Sequence, residues 1–264
     1  MSDSGVDPTT PSPARMYDLF LGGKDNFAVD RAAVSEVLRV APSVRKVARD
    51  NRRFMVRAVR YCARAGVRQF VDIGTGIPTP PNVCEVARSE RPDALVVGVD
   101  NDPQVLAHGR CYLDGVHIID GDVRSPAGII DDPLLNRWID WSQPVAVLFI
   151  AVLHFVTDAQ DPSGIVATFR ERMAPGSLVV ISHVSSTGAD PAEVAAVERV
   201  YQRASSPGVS RTHEEILSLF DGFEFVAPGL VPVQRWGKRP GKETAIPILG
   251  GVGRIPGVRV AEAI

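Results

Sequence analysis

The stretch Val71-Asp72-Ile73-Gly74-Thr75-Gly76-Ile77-Pro78 indicates the fold, because an apolar run ends there in a glycine-rich turn. From residue 68 onwards, short β-branched runs alternate with segments of helical periodicity. The apolar runs predict strands at 69–73, 95–99, 116–119, 145–150 and 178–181. The segments between them predict helices at about 82–89, 103–113 and 163–173. Strands that alternate with helices are typical of a mostly parallel sheet with right-handed crossovers, so we predict an α/β fold. Residues 223–226 and 246–249 predict a closing antiparallel pair.

The composition of the 264-residue chain limits its class. Hydrophobic residues make up 45% of the chain, and 29 basic against 31 acidic residues leave a net charge of −2. That balance disfavours a globally basic nucleic-acid binder. The longest apolar run, 145–153, is much shorter than the roughly 20 residues of a membrane span. We therefore predict that the protein has no membrane partner and that nucleic acid is not its target.

The N-terminus and the cysteines favour a cytoplasmic protein. Residues 1–14 are polar, lack the apolar run of a signal peptide and predict a disordered tail. Cys62, Cys84 and Cys111 lie far apart, which argues against a disulfide framework. No spacing of histidines and carboxylates indicates a metal site. We predict a cytoplasmic location and no metal.

The region before the sheet predicts a helical cap. Residues 15–66 contain three helical patterns, whereas 67–264 carry the α/β pattern, so a boundary is expected near residue 66. A polar glycine loop interrupts the cap, and its residues Gly23, Lys24 and Asn26 are candidates for a lid that excludes water from a substrate.

Acidic residues follow three consecutive predicted strands. Asp72 ends the first strand, Asp100 ends the second, and Asp122 follows the third. Asp100 lies 24 residues after Gly76, the spacing at which a carboxylate accepts hydrogen bonds from ribose hydroxyls. A dinucleotide fingerprint needs a third glycine where this chain has Thr79, so pyrophosphate binding is disfavoured. Ligands of open parallel sheets bind beyond the carboxyl ends of the strands, where these acids are expected to lie.

These motifs resemble class I S-adenosylmethionine-dependent methyltransferases. More narrowly, the chain resembles the actinomycete S-adenosyl methyltransferase family, first catalogued as a domain of unknown function. The similarity extends from about residue 13 to 236 and rests on several stretches: Ala14-Arg15-Met16-Tyr17-Asp18, Leu21-Gly22-Gly23-Lys24-Asp25-Asn26-Phe27, Asn51-Arg52-Arg53-Phe54, Asp72-Ile73-Gly74-Thr75-Gly76-Ile77-Pro78-Thr79, Val99-Asp100-Asn101-Asp102-Pro103 and Val152-Leu153-His154-Phe155. Pro80-Pro81 and Cys84 depart from the family pattern.

The resemblance implies a Rossmann-like sheet of seven strands in the order 3-2-1-4-5-7-6, with the last strand antiparallel. It also implies S-adenosylmethionine as cofactor and S-adenosylhomocysteine as product. The implied cofactor residues share the carboxyl edge of the sheet: Asp72, Gly74, Thr75, Gly76, Asp100, Asn101, Asp122, Val123 and Ala151. By resemblance, the two glycines line the methionine moiety and Asp72 lies near its amino group. Asp100 accepts from the ribose, and Asn101 and Asp122 flank the adenine.

Three residues are candidates for catalysis. His154 follows the fourth predicted strand, and an imidazole that titrates near pH 6.5 can accept a proton at neutral pH. His183 ends the neighbouring strand and is the reserve candidate, while Tyr17 can orient an acceptor or donate a hydrogen bond. A stripe of arginines on the third helix is either a solvated face or a contact for an anionic acceptor or the cofactor carboxylate: Arg45, Arg49, Arg52, Arg53, Arg57, Arg60 and Arg64.

The predicted function is a methyltransferase acting on a small-molecule acceptor that the residues do not identify. The alternative is a sensor or regulatory module that binds S-adenosylmethionine or S-adenosylhomocysteine without turnover. An oxidoreductase usually carries Tyr-x-x-x-Lys, which none of the four tyrosines begins. Enzymes that methylate nucleic-acid amino groups carry Asn/Asp-Pro-Pro-Tyr/Phe after strand four, where this chain has Ala151-Val152-Leu153-His154. Neither the oligomeric state nor the role of the segment after Arg235 follows from the sequence.

Overall fold

One twisted sheet organises the chain, and its longer strands coincide with the predicted apolar runs. The computed structural model describes residues 5–112, 117–237 and 246–257. Eight strands occur in those ranges: β1 (Gln69–Ile73), β2 (Leu95–Asp100), β3 (His117–Asp120), β4 (Val145–Ile150), β5 (Leu178–Val184), β6 (Glu224–Phe225), β7 (Val231–Pro232) and β8 (Ile248–Arg254).

The strand order is β3-β2-β1-β4-β5-β8-β6, with β7 also paired to β8. Neighbours from β3 through β5 are parallel, whereas β8 runs antiparallel to β5 and to β6. The predicted order is thereby confirmed, with β8 as the expected last strand. The predicted count of seven is wrong, because Val231 and Pro232 pair with Gly250 and Leu249. Two residues are too few to show a strand periodicity in the sequence.

Ten α-helices lie in the same described ranges: α1 (Pro13–Leu21), α2 (Ala28–Val40), α3 (Val44–Arg64), α4 (Val83–Glu90), α5 (Pro103–Tyr112), α6 (Pro126–Ile130), α7 (Pro133–Trp138), α8 (Pro162–Arg172), α9 (Pro191–Tyr201) and α10 (His213–Ser218). Helices α6 and α7 are absent from the sequence prediction, since five or six residues span less than two turns. Each begins with a proline in the first turn, where no backbone N–H is needed.

Helices cover both faces of the sheet, which explains why the strands are apolar along most of their length. Phe70 of β1 packs with Phe54 and Met55 of α3 on one face. Val71, the next residue along β1, packs with Phe169 of α8 on the opposite face. Successive side chains of a strand point to opposite faces, so burial on both sides requires a continuous apolar run.

The N-terminal helices pack on α9 above the carboxyl edge of the sheet. Their shared core contains Met16, Phe20, Val34 and Val200. In addition, the buried Asp30 accepts a hydrogen bond from Arg15 Nε at 2.8 Å. None of the helices in the described ranges is long and apolar enough to cross a membrane.

The described part of the predicted tail, residues 5–14, makes polar contacts with the rest of the chain. Ser12 is buried, and its backbone N–H donates to Asp30 Oδ1 at 2.9 Å. The Ser205 N–H donates to the Pro11 carbonyl at 2.9 Å. A buried carboxylate needs donors, and Asp30 obtains one of them from this segment. Residues 1–4, together with 238–245 and 258–264 after Arg235, lie outside the described residues.

Candidate active site

All nine predicted cofactor residues line one cavity at the carboxyl edge of the sheet, below the helical cap. They reach it from the ends of β1, β2 and β4 and from the loop after β3. The parallel register explains this convergence, since the strands end side by side: Asp100 pairs with Asp120, and Ile73 pairs with Val99.

The turn after β1 requires glycine at two positions. Gly74 and Gly76 both have φ of +67°, in the left-handed region that favours glycine. A Cβ at Gly74 would lie 2.5 Å from Val152 Cγ2, so a side chain there would collide with the segment after β4. Thr75 Oγ1 donates to Asp72 Oδ2 at 2.7 Å, which fixes the turn against the strand end. The backbone is therefore open to close approach by a ligand.

Two buried carboxyl groups lie beside this turn. Asp100 accepts hydrogen bonds from the backbone N–H groups of Gly76 at 2.8 Å and of Asp102 at 3.0 Å. Burial raises the pKa of Asp100 to about 6, and burial likewise raises the pKa of Asp72 to about 6. Buried carboxyl groups that gain hydroxyl or amine donors from a ligand recover part of the solvation that folding removed.

Asp122 lies at the outer rim of the cavity and already has partners. Arg124 Nε donates to its Oδ1 at 2.8 Å, and Asn101 Nδ2 donates to its Oδ2 at 3.2 Å. The hydrogen bond from Arg124 is the main reason that the pKa of Asp122 lies below its usual value. The carboxylate is thus charged and held in place, so it can accept a hydrogen bond from a purine amino group.

The backbone bends sharply after β4. Ala151 has φ of +56°, a conformation that costs a non-glycine residue about 1–3 kcal/mol and that is concentrated at functional sites. Its N–H donates to the carbonyl and the Oγ of Ser182, at 3.2 and 3.0 Å. The bend leads directly into the 3₁₀ turn Leu153–Phe155, which carries His154.

His154 is the histidine that the structure brings to the cavity. It lines the cavity while only 9% exposed, and its Nδ1 has no hydrogen-bond partner among the described residues. Burial, with the nearby His183 and Arg211 adding to it, holds the pKa of His154 well below 6.5. The ring is therefore neutral at physiological pH and can accept a hydrogen bond, but it is a weaker base than the imidazole titrating near pH 6.5 that the sequence predicts.

His183 does not reach the cavity, so the expectation that both histidines face one crevice is wrong. The two rings meet edge to face with centroids 5.5 Å apart, and His183 is fully buried behind His154. Arg211 Nη1 lies 2.8 Å from His183 Nε2, and His183 Nδ1 lies 2.7 Å from the Val184 carbonyl. Arginine can only donate, so Nε2 accepts and Nδ1 carries the hydrogen. Neither nitrogen is left to act on a substrate.

Arg211 is a residue of this site that the sequence did not reveal. It is 4% exposed and holds the turn that carries His154, donating to the carbonyls of Leu153 at 3.1 Å and Val156 at 2.8 Å. Its charge is balanced by Asp158 at 2.7 Å. No local motif marks this arginine, because its partners lie more than 50 positions away except for His183.

The cap contributes a polar group of its own. The Tyr17 hydroxyl donates to the Ala48 carbonyl at 3.2 Å and accepts from Asn51 Nδ2 at 3.0 Å. Burial raises the pKa of Tyr17, so the phenol stays protonated and can orient a ligand but not take its proton. Asn51 Oδ1, buried at the cavity wall, lacks a hydrogen-bond partner among the described residues.

Arg52 alone of the seven striped arginines lines the cavity. Its guanidinium donates to the Thr79 carbonyl, while its buried Nε has no partner among the described residues. Burial lowers the pKa of Arg52, an effect that Tyr17 and Asp72 oppose. Other members of the stripe have structural partners: Arg57 Nε donates to the Trp236 carbonyl, and Arg64 pairs with Glu90.

The predicted lid residues do not line the cavity. Lys24 is exposed, and Asn26 bonds within its own loop, donating to the Gly23 carbonyl at 3.4 Å. The loop instead packs on Asp18, whose carboxylate accepts from the Asp25 N–H at 3.2 Å. Asp18 lines the cavity in their place. A polar loop sequence indicates exposure but not which of its residues turn inwards.

No group of three or more histidine, cysteine or acidic residues suited to a metal occurs in the described parts of the chain. The donor set fits a nucleoside bearing an amino acid: buried carboxyls for hydroxyls and an amine, and the unpartnered Arg52 Nε for a carboxylate. This site lies on a sheet ordered β3-β2-β1-β4-β5-β8-β6, the order expected for class I methyltransferases, and the two together define a protein of that class.

The chain belongs to the S-adenosyl methyltransferase family, whose model matches residues 1–256. S-adenosylmethionine is thus its cofactor, as predicted. The chain is similar to a candidate methyltransferase from Thermobifida fusca, at 37% identity and a TM-score of 0.89, over 96% of this chain and 98% of that one. It is also similar to a DUF574-family protein from Streptomyces avermitilis, at 39% identity and a TM-score of 0.90, over 95% and 99% of the two chains. No curated protein matches the chain.

Proposed function

We propose that the protein transfers a methyl group from S-adenosylmethionine to a small-molecule acceptor bound below the helical cap. One observation carries the proposal: the cavity that holds every predicted cofactor residue continues past Ala151 to His154 and the cap side chain Tyr17. A protein that only sensed the cofactor would need the part of this cavity that the predicted cofactor residues line, but not its extension to His154 and Tyr17. The family and the fold support the reaction class, and the extension of the cavity supports turnover over the sensor alternative.

The side chains divide the work of holding the cofactor. Asp100, fixed by two backbone N–H groups, is the acceptor for ribose hydroxyls, and Asp122 with Asn101 receives the adenine. The glycine turn lets the methionine moiety approach the backbone, and Asp72 receives its amino group. The sequence left two interpretations of Arg52, a solvated residue or a contact for an anion. Arg52 is the partner for the carboxylate, because it is the one arginine of the stripe that lines the cavity.

When bound, S-adenosylmethionine supplies a methyl group to the acceptor and keeps the electron pair of the broken carbon–sulfur bond as S-adenosylhomocysteine. The main task of the protein is then to align the acceptor with that methyl group. His154 receives the acceptor's proton, because it is neutral and lies at the cavity wall, whereas Tyr17 and His183 cannot. Tyr17 and Asn51 position the acceptor from the cap side.

Calorimetric titration tests the cofactor assignment. The protein should bind S-adenosylmethionine and S-adenosylhomocysteine, and Arg52→Met should weaken both by at least tenfold. The same variant should bind 5′-methylthioadenosine, which lacks the amino-acid end, as the unchanged protein does. Arg53→Met, on the neighbouring exposed position, is the matched control and should bind all three normally. Tight binding of NAD with no binding of S-adenosylhomocysteine would overturn the proposal.

Turnover is tested separately with cell extract and methyl-labelled donor. Transfer of label to a small molecule, dependent on the protein, is the expected result. Label found only in nucleic acid would contradict the acceptor class, and no label at all would favour the sensor alternative.

A further inference from the structure

The cavity has a charged side and an uncharged side. Among the described residues, its charged side chains either lie at or just after the ends of β1, β2 and β3, as Asp72, Asp100 and Asp122 do, or lie on the cap. The charged cap residues Asp18 and Arg52 both contact Thr79, so they lie over the loop after β1. The charges are therefore concentrated where the cofactor is held.

The opposite side is formed by the ends of β4 and β5 and by α9, and no lining residue there is charged. It includes Val152, Phe155, Val184 and Tyr201, together with His154. Burial keeps the imidazole neutral, so this wall carries no charge at physiological pH. An ionised acceptor placed here would lose its hydration and gain no charged contact, because Arg211 behind this wall is paired with Asp158 and does not line the cavity. Such a burial costs several kcal/mol.

Three aromatic rings stand next to one another on the uncharged side. The centroids of His154 and Phe155 are 4.4 Å apart, and those of Phe155 and Tyr201 are 5.5 Å apart. The latter two rings are tilted by 46° rather than stacked. Ring faces and edges attract further aromatic groups through their quadrupoles, which adds about 0.5–1.5 kcal/mol per pair to burial alone.

We infer, resting on the proposed function above, that the methyl acceptor is an uncharged aromatic molecule that bears a hydroxyl group. The rings of Phe155 and Tyr201 form the platform for its aromatic part, and the uncharged wall excludes carboxylates and alkylammonium groups. The neutral imidazole of His154 accepts a hydrogen bond from the hydroxyl group. An aromatic hydroxyl has a pKa near 10 and arrives protonated, so a base beside it has a proton to remove.

The reaction balances with these groups alone. The acceptor oxygen forms a bond to the methyl carbon as the carbon–sulfur bond breaks, and the sulfur keeps the electron pair. The hydroxyl proton moves to His154, which later releases it to water. The products are an aryl methyl ether and S-adenosylhomocysteine.

The test uses 2-naphthol as the probe and the full chain saturated with S-adenosylhomocysteine, titrated in a calorimeter. Two matched compounds are titrated beside it: 6-hydroxy-2-naphthoate, which adds a charge, and decahydro-2-naphthol, which removes the aromatic rings. We expect 2-naphthol to bind at least tenfold more tightly than either. Stronger binding of the naphthoate would overturn the claim that the acceptor is uncharged, and equal binding of the saturated alcohol would overturn the claim that it is aromatic.

Two substitutions in the cavity test where 2-naphthol binds. Phe155→Leu should weaken 2-naphthol at least fivefold and leave S-adenosylhomocysteine unaffected, and His154→Phe should weaken it at least threefold by removing the hydrogen-bond acceptor. Phe225→Leu is the control, because Phe225 is an exposed aromatic residue on β6 that does not line the cavity. Normal 2-naphthol binding by both site variants overturns the inference. Failure of the unchanged protein to bind 2-naphthol while it binds S-adenosylhomocysteine refutes the acceptor class, whereas its failure to bind S-adenosylhomocysteine refutes the proposed function itself.

Discussion

Replacing Asp100 with asparagine should raise stability at high pH while it weakens cofactor binding. Burial raises the pKa of Asp100 from 3.8 to about 6, so the folded state binds this proton more tightly than the unfolded chain does. The folded protein therefore loses stability as the pH rises from about 4 to about 6. At about 1.4 kcal/mol per pKa unit, the loss is about 3 kcal/mol. Asparagine does not ionise, so the variant does not lose this stability as the pH rises.

The substitution also removes one hydrogen bond. The carboxylate accepts from the N–H groups of Gly76 and Asp102, whereas asparagine has a single acceptor oxygen, so about 1 kcal/mol is lost at every pH. Asp100→Asn should thus be about 2 kcal/mol more stable than the unchanged protein at pH 8 and about 1 kcal/mol less stable below pH 4. Urea unfolding followed by circular dichroism at both pH values measures this crossover. Asp93→Asn, at a 54% exposed side chain, is the control and should show no crossover.

Cofactor binding should move in the opposite direction to stability at pH 8. The ribose hydroxyls lose a charged acceptor, which is worth about 1.5–3 kcal/mol, or about 10- to 150-fold in the affinity for S-adenosylhomocysteine. Titration calorimetry at pH 8 measures this change in the affinity for S-adenosylhomocysteine. A variant that is less stable than the unchanged protein at pH 8, or that binds S-adenosylhomocysteine equally well, would refute the reasoning.

Arg211→Met should destabilise the fold by about 3 kcal/mol in urea unfolding, since it leaves two buried carbonyls and a buried imidazole without their donor. Arg203→Met, which removes an exposed ion pair, should cost less than about 1 kcal/mol, and equal losses would contradict the structural role of Arg211. Gly74→Ala should abolish S-adenosylhomocysteine binding in calorimetry, because its Cβ would meet Val152 at 2.5 Å. Gly66→Ala, at a positive φ with open space around it, should be strained by about 1 kcal/mol yet bind normally. Once an acceptor is identified, His154→Gln should lower single-turnover rates by about 10²–10⁴-fold with nearly unchanged cofactor affinity, and full activity would exclude His154 as the base.

The pattern of strands and helices could be predicted from the sequence, because each main strand is buried on both faces. Nearly continuous apolar runs such as 69–73 and 145–150 have the bounds that the structure gives to β1 and β4. The strand order came from the family resemblance, since the runs themselves do not state which strands are neighbours. The two-residue strand β7 and the short helices α6 and α7 escaped prediction, because each is stabilised by contacts to other elements rather than by its own periodicity.

The candidate cofactor site was predictable because each of its residues stands next to a strand end that the sequence marks. Asp72, Asp100 and Asp122 follow apolar runs, and a parallel sheet brings such ends to one edge. The predicted lid residues do not line the cavity, for the opposite reason. Polarity places a loop at the surface, but whether Lys24 or Asp18 turns towards the cavity depends on how α1 packs on α3.

The sequence by itself therefore determined the α/β class, the strand ends that line the cavity and the family. Only the tertiary structure decided that His154 faces the cavity while His183 lies behind it, and that Arg52 lines the cavity while Arg57 and Arg64 have structural partners. It also brought Arg211 to the turn that carries His154, from 58 residues along the chain. The physical reason is the range of the interactions. Periodicity and turn chemistry act between neighbours in the chain, whereas burial, charge and hydrogen-bond partners depend on which distant segments pack together.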